Sequence, residues 1–288
     1  MRTFWLILVT IVWGSTFLIV KYTVGTVNEF LIVFIRSALA FLAMLIYLLY
    51  KDWRKIFNQK AFFYGSILGV LMAITYGAQT IGLKYTSTGH SAFITSSAVI
   101  LVPFILFFLY QVKLIKIDVL SVSIVFAGLF LLTYDLETQM NIGDMITIIT
   151  ALSYAFHVVL AERFVNKSDT ITIITYQFFA AAVVGLIAFL FTNTETVVIS
   201  TKAWSSLIYL GLIGTLFCYF VTVWIMKYVS ALKVAIIFSL EPVFAALFGY
   251  FIINETLNPK ELLGASLILL GVIIHSIFKN RYKKAQTI

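Results

Sequence analysis

The sequence predicts an all-α membrane protein of ten transmembrane helices, arranged as two inverted five-helix repeats. Three observations predict it: a composition too apolar to face water, ten apolar runs of spanning length, and a self-similarity at an offset of 143 residues. Of the 288 residues, 62% are hydrophobic and 11% charged, with a mean hydropathy of +1.05. A soluble domain carries about 25% charged residues, so this chain lacks the polar surface to face water all round. Its length suits one compact bundle. The net charge of +8 does not point to nucleic acid, because the basic residues fall in short clusters between apolar runs. The single cysteine, Cys218, sits inside an apolar run, so no internal disulfide is possible and a small buried hydrophobe is expected there.

A helix crossing the hydrocarbon core needs about 20 mostly apolar residues. The runs that qualify are 4–24, 29–50, 61–81, 88–110, 117–134, 142–161, 170–192, 203–226, 234–253 and 260–278. The first follows Met1-Arg2-Thr3 and is too long for the apolar part of a signal peptide. No Ala-x-Ala-like site follows it, so it is expected to be a retained span. The connections are short, which makes neighbouring helices antiparallel and leaves no room for a soluble domain.

An even number of spans places both termini on one side. On the side of Arg2 fall Lys51, Arg54, Lys55, Lys60, Lys113, Lys116, Arg163, Lys167, Lys227, Lys233, Lys279, Arg281, Lys283 and Lys284. On the other fall Lys21, Lys84, Lys202 and Lys260, with Arg36 inside a span. By the positive-inside rule, both termini and residues 51–60 are cytoplasmic, and 135–141 and 193–202 face outside. The expected location is the cell (cytoplasmic) membrane. Trp204 and Tyr209 near the outer face, and Trp53 and Tyr282 near the inner one, suit an interfacial aromatic belt. Tyr282 and the basic residues around it form a tail that anionic lipid would hold.

Sliding the chain against itself by 143 residues aligns Lys84-Tyr85-x-Ser87 with Lys227-Tyr228-x-Ser230. Without a gap, the same offset pairs Tyr76 with Tyr219, Ala92 with Ala235, Ile94 with Ile237 and Ser96 with Ser239. It continues through Leu120/Leu263, Ser123/Ser266 and Gly128/Gly271. Each half therefore holds five spans. Five is odd, so the second half enters the membrane from the opposite side. Such an inverted repeat can rock to expose one central site alternately to each face, the architecture of secondary transporters.

These residues resemble the drug/metabolite transporter superfamily, in its EamA branch of ten-helix exporters. The most specific stretches are Lys227-Tyr228-Val229-Ser230-Ala231, Ser239-Leu240-Glu241-Pro242-Val243-Phe244-Ala245-Ala246 and Asn254-Glu255-Thr256-Leu257. Trp13-Gly14-Ser15 and Arg36 also match. The fourth span departs, with Val112-Lys113 in place of a second acidic turn and with Pro103 away from the position equivalent to Pro242. The resemblance implies two EamA-type halves, 1–138 and 139–288, and export of a small metabolite such as an amino acid or amine. Import or facilitated movement of the same solutes is the nearest alternative, since a symmetric alternating-access fold has no built-in direction. A membrane-embedded lipid-modifying enzyme is a further one, but it needs an interfacial cluster of acids and bases that these basic loops do not offer.

Ionisable side chains at membrane depth are costly and usually functional. Here they are Arg36, His157 and Glu241, with Glu162 and His275 near span ends. Glu241 precedes Pro242, whose missing N–H can kink the helix where a ligand approaches. Glu241 is either a proton site or cation anchor, or a structural hydrogen-bond partner. Arg36 either holds a substrate carboxylate or fixes helix packing. His157 either relays protons or packs with a hydrogen bond. The polar and aromatic residues expected to line a central pocket are Trp13, Tyr76, Gln79, Ser96, Tyr154, His157, Tyr219, Ser239 and Glu241, because lipid cannot satisfy their polar groups. Aromatic faces beside one carboxylate suit an ammonium-bearing solute. Gly65, Gly69, Ala73 and Gly77, four residues apart, form a ridge for close helix approach. There is no phosphate-binding Gly-x-x-x-x-Gly-Lys loop and no metal-ligand spacing, so transport without ATP, cofactor or metal is expected. The expected partners are a small-molecule substrate, membrane lipids and, where transport is coupled, protons, but no nucleic acid. The chain is expected to be a monomer or weak homodimer.

Overall fold

The computed structural model describes residues 2–133, 140–192, 199–253 and 258–285. The Asn254–Leu257 motif, most of the 135–141 and 193–202 loops, and the side chains of the tail around Tyr282 lie outside the described residues. Every regular element among the described residues is helical, and they form ten rods. These are α1 (Arg2–Val24), α2 (Glu29–Asp52), α3 (Gln59–Tyr85), α4 (Thr88–Ser96, then Ala98–Tyr110), α5 (Lys116–Thr133), α6 (Ile142–Phe164) and α7 (Thr170–Leu190). After them come α8 (Thr201–Ile208, Tyr209–Phe217, Cys218–Ile225), α9 (Ala231–Phe238, Glu241–Phe248, Gly249–Ile253) and α10 (Pro259–Ala285). Nine are long and apolar enough to cross a membrane by length and composition; α5, at 18 residues, carries Lys116 and Asp118 in its first turn. The protein is an all-α, multi-pass membrane protein.

Short polar residues start the helices. Asn28, Asn58, Ser87, Asp169, Ser200 and Ser230 each accept a hydrogen bond from a backbone N–H of the following first turn, where four donors lack an intrahelical partner. At α6, Asn141 and Asp144 make a reciprocal capping box. Ser87 and Ser230, which cap α4 and α9, are one of the pairs at the 143-residue offset.

Continuous helices were expected over 88–110 and 234–253. Instead α4 breaks at Ser97 and α9 at Ser239-Leu240, and Ser97 and Leu240 are themselves 143 positions apart. Both breaks are single tight turns. The Ser97 hydroxyl donates to Ile94 O at 2.6 Å and the Ser239 hydroxyl to Ile236 O at 2.6 Å. Serine back-bonding of this kind competes with the helical ladder. In α9, Pro242 then opens the next segment, where its missing N–H removes no helical bond. Pro103 sits inside the second part of α4 and is not at its break.

In α8 the middle stretch, Tyr209–Phe217, is π-helical. Such bulges are frequent at functional sites, because the wider turn leaves carbonyls available to side chains.

The rods α1–α4 and α6–α9 form the central bundle, with α7 packed on both α2 and α3. Gly65 and Gly69 make the contact with α7 possible. A Cβ on Gly65 would lie 2.6 Å from Ile173 O, and one on Gly69 2.3 Å from Gln177 O. The expected ridge stops there, because at Gly77 the nearest atom is a Phe30 ring carbon at 4.0 Å, an ordinary contact. Rods α5 and α10 pack on each other. Gly128 abuts Gly264 and Ile268, and Gly271 abuts Ser121 and Val125. Each of these contacts maps onto the other when positions 143 apart are exchanged.

Candidate functional site: a buried carboxyl in an aromatic cavity

A cavity of about 20 Å³ lies in the central bundle, lined by Trp13, Thr16, Thr75, Tyr76, Gln79, Thr95, Tyr154, Tyr219 and Glu241. Trp13 is its hub. Its ring meets Tyr154, Tyr219 and Phe238 edge-on, with centroids 5.9, 5.3 and 5.0 Å away. The indole N–H donates to Gly214 O at 2.8 Å. That carbonyl lies in the π-helical stretch of α8 and also accepts from the Tyr76 hydroxyl at 3.4 Å. The irregular helix thus fixes two rings of the cavity. Tyr76 and Tyr219, a pair at the 143-residue offset, meet at 5.7 Å.

Glu241 opens the second segment of α9, immediately after the break. It is 6% exposed, and its carboxyl has no hydrogen-bond or ion-pair partner among the described residues. The partial positive charge at a helix start favours an anion there, but burying a carboxylate remains costly without a cation or a proton. Two further lining groups are unmatched: the Tyr154 and Thr95 hydroxyls are buried with no hydrogen-bond partner among the described residues. The cavity therefore presents one acid and two unused hydroxyls between aromatic edges.

Arg36 lies behind this wall rather than in it. It is 1% exposed, its Nε donates to the Thr215 hydroxyl at 2.8 Å, and its guanidinium sits 3.5 Å from the Tyr76 ring centroid. Thr215 in turn donates to Leu210 O, five residues back along the π stretch, at 2.7 Å. With Arg36 on one face of Tyr76, a cation in the cavity would be served by Trp13, Tyr154 and Tyr219 instead.

Of the nine residues expected in the pocket, the fold brings six together. The other three sit elsewhere. His157 is fully buried behind Tyr219, with ring centroids 5.2 Å apart, and its Nε2 is 3.0 Å from Gln177 Oε1. Ser239 spends its hydroxyl on its own helix, and Ser96 is buried outside the lining. The sequence reading missed Thr16, Thr75 and Thr95. Thr16 is one helical turn from Trp13 and Thr75 one turn from Gln79, so following those faces would have found both. Tyr209, expected in the interfacial belt, has its hydroxyl 2.8 Å from that of Ser15. Glu162 accepts from Ala231 N at 3.1 Å, capping α9 across a helix boundary. His275 pairs with Asp118 at 3.1 Å, joining α10 to α5.

A ten-rod helical bundle with a buried acid in an aromatic cavity suits a membrane transporter and specifies no particular solute. The model of the EamA-like transporter family matches residues 2–134 and again 141–277. The chain belongs to this family. A protein from Archaeoglobus fulgidus named as an uncharacterized transporter is 32% identical over 94% of this chain and 84% of its own length. The Bacillus subtilis uncharacterized transporter YoaV is 25% identical over 96% of this chain and 97% of its own. The Escherichia coli uncharacterized inner membrane transporter YedA is 23% identical, covering 93% and 88%. A solved crystal structure superimposes with a TM-score of 0.79 at 15% identity, over 96% of this chain and 97% of that one. That likeness concerns the fold alone.

Proposed function

We propose that this transporter is a secondary exporter of a small ammonium-bearing metabolite, an amino acid or amine, working by alternating access of two inverted halves, 1–138 and 139–288. Both termini face the cytoplasm in this reading. The observation that carries it is Glu241: a buried carboxyl without a partner among the described residues, lining a cavity of aromatic edges at a helix break. Such a group needs a proton or a cation. A solute ammonium supplies the cation, with cation–π attraction of about 0.5–2 kcal/mol from the rings, and a proton supplies the alternative occupant. Competition between the two at one carboxyl couples movement of solute to movement of protons. The matched breaks of α4 and α9, at positions 143 apart, support the two-fold relation of the halves.

The test is transport into proteoliposomes, after a thermal-shift screen against amino acids, polyamines, nucleosides and quaternary amines has found a stabilising solute. Glu241→Gln keeps the size of the side chain and removes its charge. The variant is expected to stay folded and to lose the dependence of transport on a pH gradient. If it concentrates the solute against a pH gradient like the wild type, Glu241 is a packing residue and the proposal fails.

A further inference from the structure

Away from the central site, a groove of about 400 Å³ opens between the second part of α4 and α5. Its walls are Ile100, Phe104, Phe107, Phe108, Val122 and Phe126, with Ser123 the polar exception. The phenyl rings are not packed away: Phe104, Phe107 and Phe108 are 56%, 45% and 69% exposed. On a membrane protein this surface meets acyl chains.

Depth and charge identify the occupant. Ile100 is ten residues from the end of α4 at Tyr110, and Phe126 ten from the start of α5 at Lys116. At 1.5 Å per residue, both lie about 15 Å below that end of the bundle. This is half the hydrocarbon core of about 30 Å, one leaflet deep. The groove thus runs from the membrane surface to the bilayer midplane and no further.

At its mouth the chain turns sharply. Gln111 adopts a left-handed conformation, φ 53°, and Gln111 N and Val112 N donate back to Phe107 O and Leu106 O. This turn places exposed Lys113 beside Leu114, which lines the groove, and exposed Lys116 begins the next helix. The acid nearest in sequence, Asp118, is buried and turned to His275 on α10. The lip therefore carries two ammonium groups above an apolar trough.

We infer that this groove is a binding site for an anionic membrane phospholipid, with one acyl chain between α4 and α5 and its phosphate held by Lys113 and Lys116. A second copy of the chain fits the surface less well. A parallel neighbour related by two-fold symmetry would bring its own Lys113 and Lys116 to the same depth, and like charges repel there. A zwitterionic lipid would fill the trough but leave the lysines without net counter-charge. The site does not depend on the proposed substrate.

The test is native mass spectrometry of the full chain released from nanodiscs of equal phosphatidylglycerol and phosphatidylcholine. The wild type is expected to retain phosphatidylglycerol preferentially. Each lysine near an anionic surface contributes about five-fold in affinity, so Lys113→Gln/Lys116→Gln should reduce the preference about 25-fold. Ser123→Trp and Val119→Trp fill the trough from exposed lining positions and should reduce retention of both lipids. Equal retention of the two lipids by the wild type overturns the proposal. So does unchanged retention in both tryptophan variants, or a dimer that those variants dissociate.

Discussion

Gly69→Ala is a one-carbon perturbation whose cost follows from the geometry of α3 against α7. The added Cβ would lie 2.3 Å from Gln177 O, 2.7 Å from Ala180 Cβ and 3.1 Å from Ala181 N. Two of these three atoms are backbone, so no side-chain rotation relieves the contact and the helices must move apart. Overpacking of a tight core costs about 1–3 kcal/mol. The clash with a carbonyl oxygen places this variant at the upper end. Gly77→Ala, two turns along the same helix, is the internal control. Its Cβ would meet only a Phe30 carbon at 4.0 Å, and replacing a helical glycine by alanine gains roughly 0.5–1 kcal/mol. Thermal unfolding in detergent, followed by fluorescence of the native tryptophans, compares the two. Gly69→Ala should melt several degrees below the wild type, and Gly77→Ala at or above it. Equal melting of the two variants would refute the claim that α3 and α7 touch through backbone at Gly69.

Topology is checked by single-cysteine labelling in a Cys218→Ala background. A cysteine replacing Phe57 should resist an impermeant reagent in intact cells, and labelling there would reverse the orientation. Thr215→Val removes the acceptor of the Arg36 Nε–H bond and leaves a buried charged donor unmatched. Equilibrium unfolding should show a loss of about 1.5–3 kcal/mol, and wild-type stability would mean that the guanidinium is held by other groups. Asp169, which caps α7 and meets Lys55 at 2.8 Å, gives a pH dependence. Burial works to raise its carboxyl, but hydrogen bonds from Lys55 and Thr172 outweigh that and hold it below the usual range. Its contribution is therefore fully present above the ordinary carboxylate value near pH 4 and is lost as pH falls through the depressed one. With the pair partly exposed, the effect is at most about 1 kcal/mol. Asp169→Asn should flatten this part of the acid unfolding profile, and an identical acid limb in the variant would remove the ion pair from the account.

Much of the bundle was legible because apolar length is a direct physical requirement of crossing a bilayer. The cavity was partly legible for a related reason: Trp13, Tyr76, Gln79, Tyr154, Tyr219 and Glu241 are too large or too polar to sit indifferently among Ile and Leu. Serines escaped that logic. A serine hydroxyl reaches the carbonyl three residues back on its own helix, as Ser239 does at Ile236, and so needs no cavity. His157 found its partner in Gln177, one rod away, a pairing that no helical spacing encodes. The kink at Pro242 was legible from its missing N–H, but the matching break at Ser97 was not, because Thr95, Ser96 and Ser97 are small residues that a helix also accommodates. Gly77 continued a four-residue spacing in sequence, yet no helix backbone approaches it as Gln177 approaches Gly69.

Volume decides how the cavity must work. At about 20 Å³ it has room for little more than a water, whereas sites that enclose small molecules span roughly 300–1,000 Å³. Tightly packed residues flank it on both sides. Towards the Lys21 end lie Phe17, Val20, Leu83 and Ala92, and towards the Arg2 end Leu6, Val9, Val102, Val158 and Val234, every one buried. This conformation is therefore contracted, and a solute enters only if walls move. The rods that carry the walls differ in their capacity to do so. Rod α3 is continuous and keyed to α7 through Gly65 and Gly69, so it moves only with its neighbour. Rods α4 and α9 are each divided at a turn beside the cavity, next to Thr95 and Glu241. A turn concentrates backbone freedom at one or two residues and lets each half-helix tilt while its own ladder stays intact. The two turns are 143 positions apart, so in the proposed alternating-access cycle tilting at one would open the cavity towards one end and tilting at the other towards the opposite end. Glu241 is the first residue of the second half-helix, so in that proposed cycle the occupancy of its carboxyl, by proton or by cation, would be tied to the position of the gate.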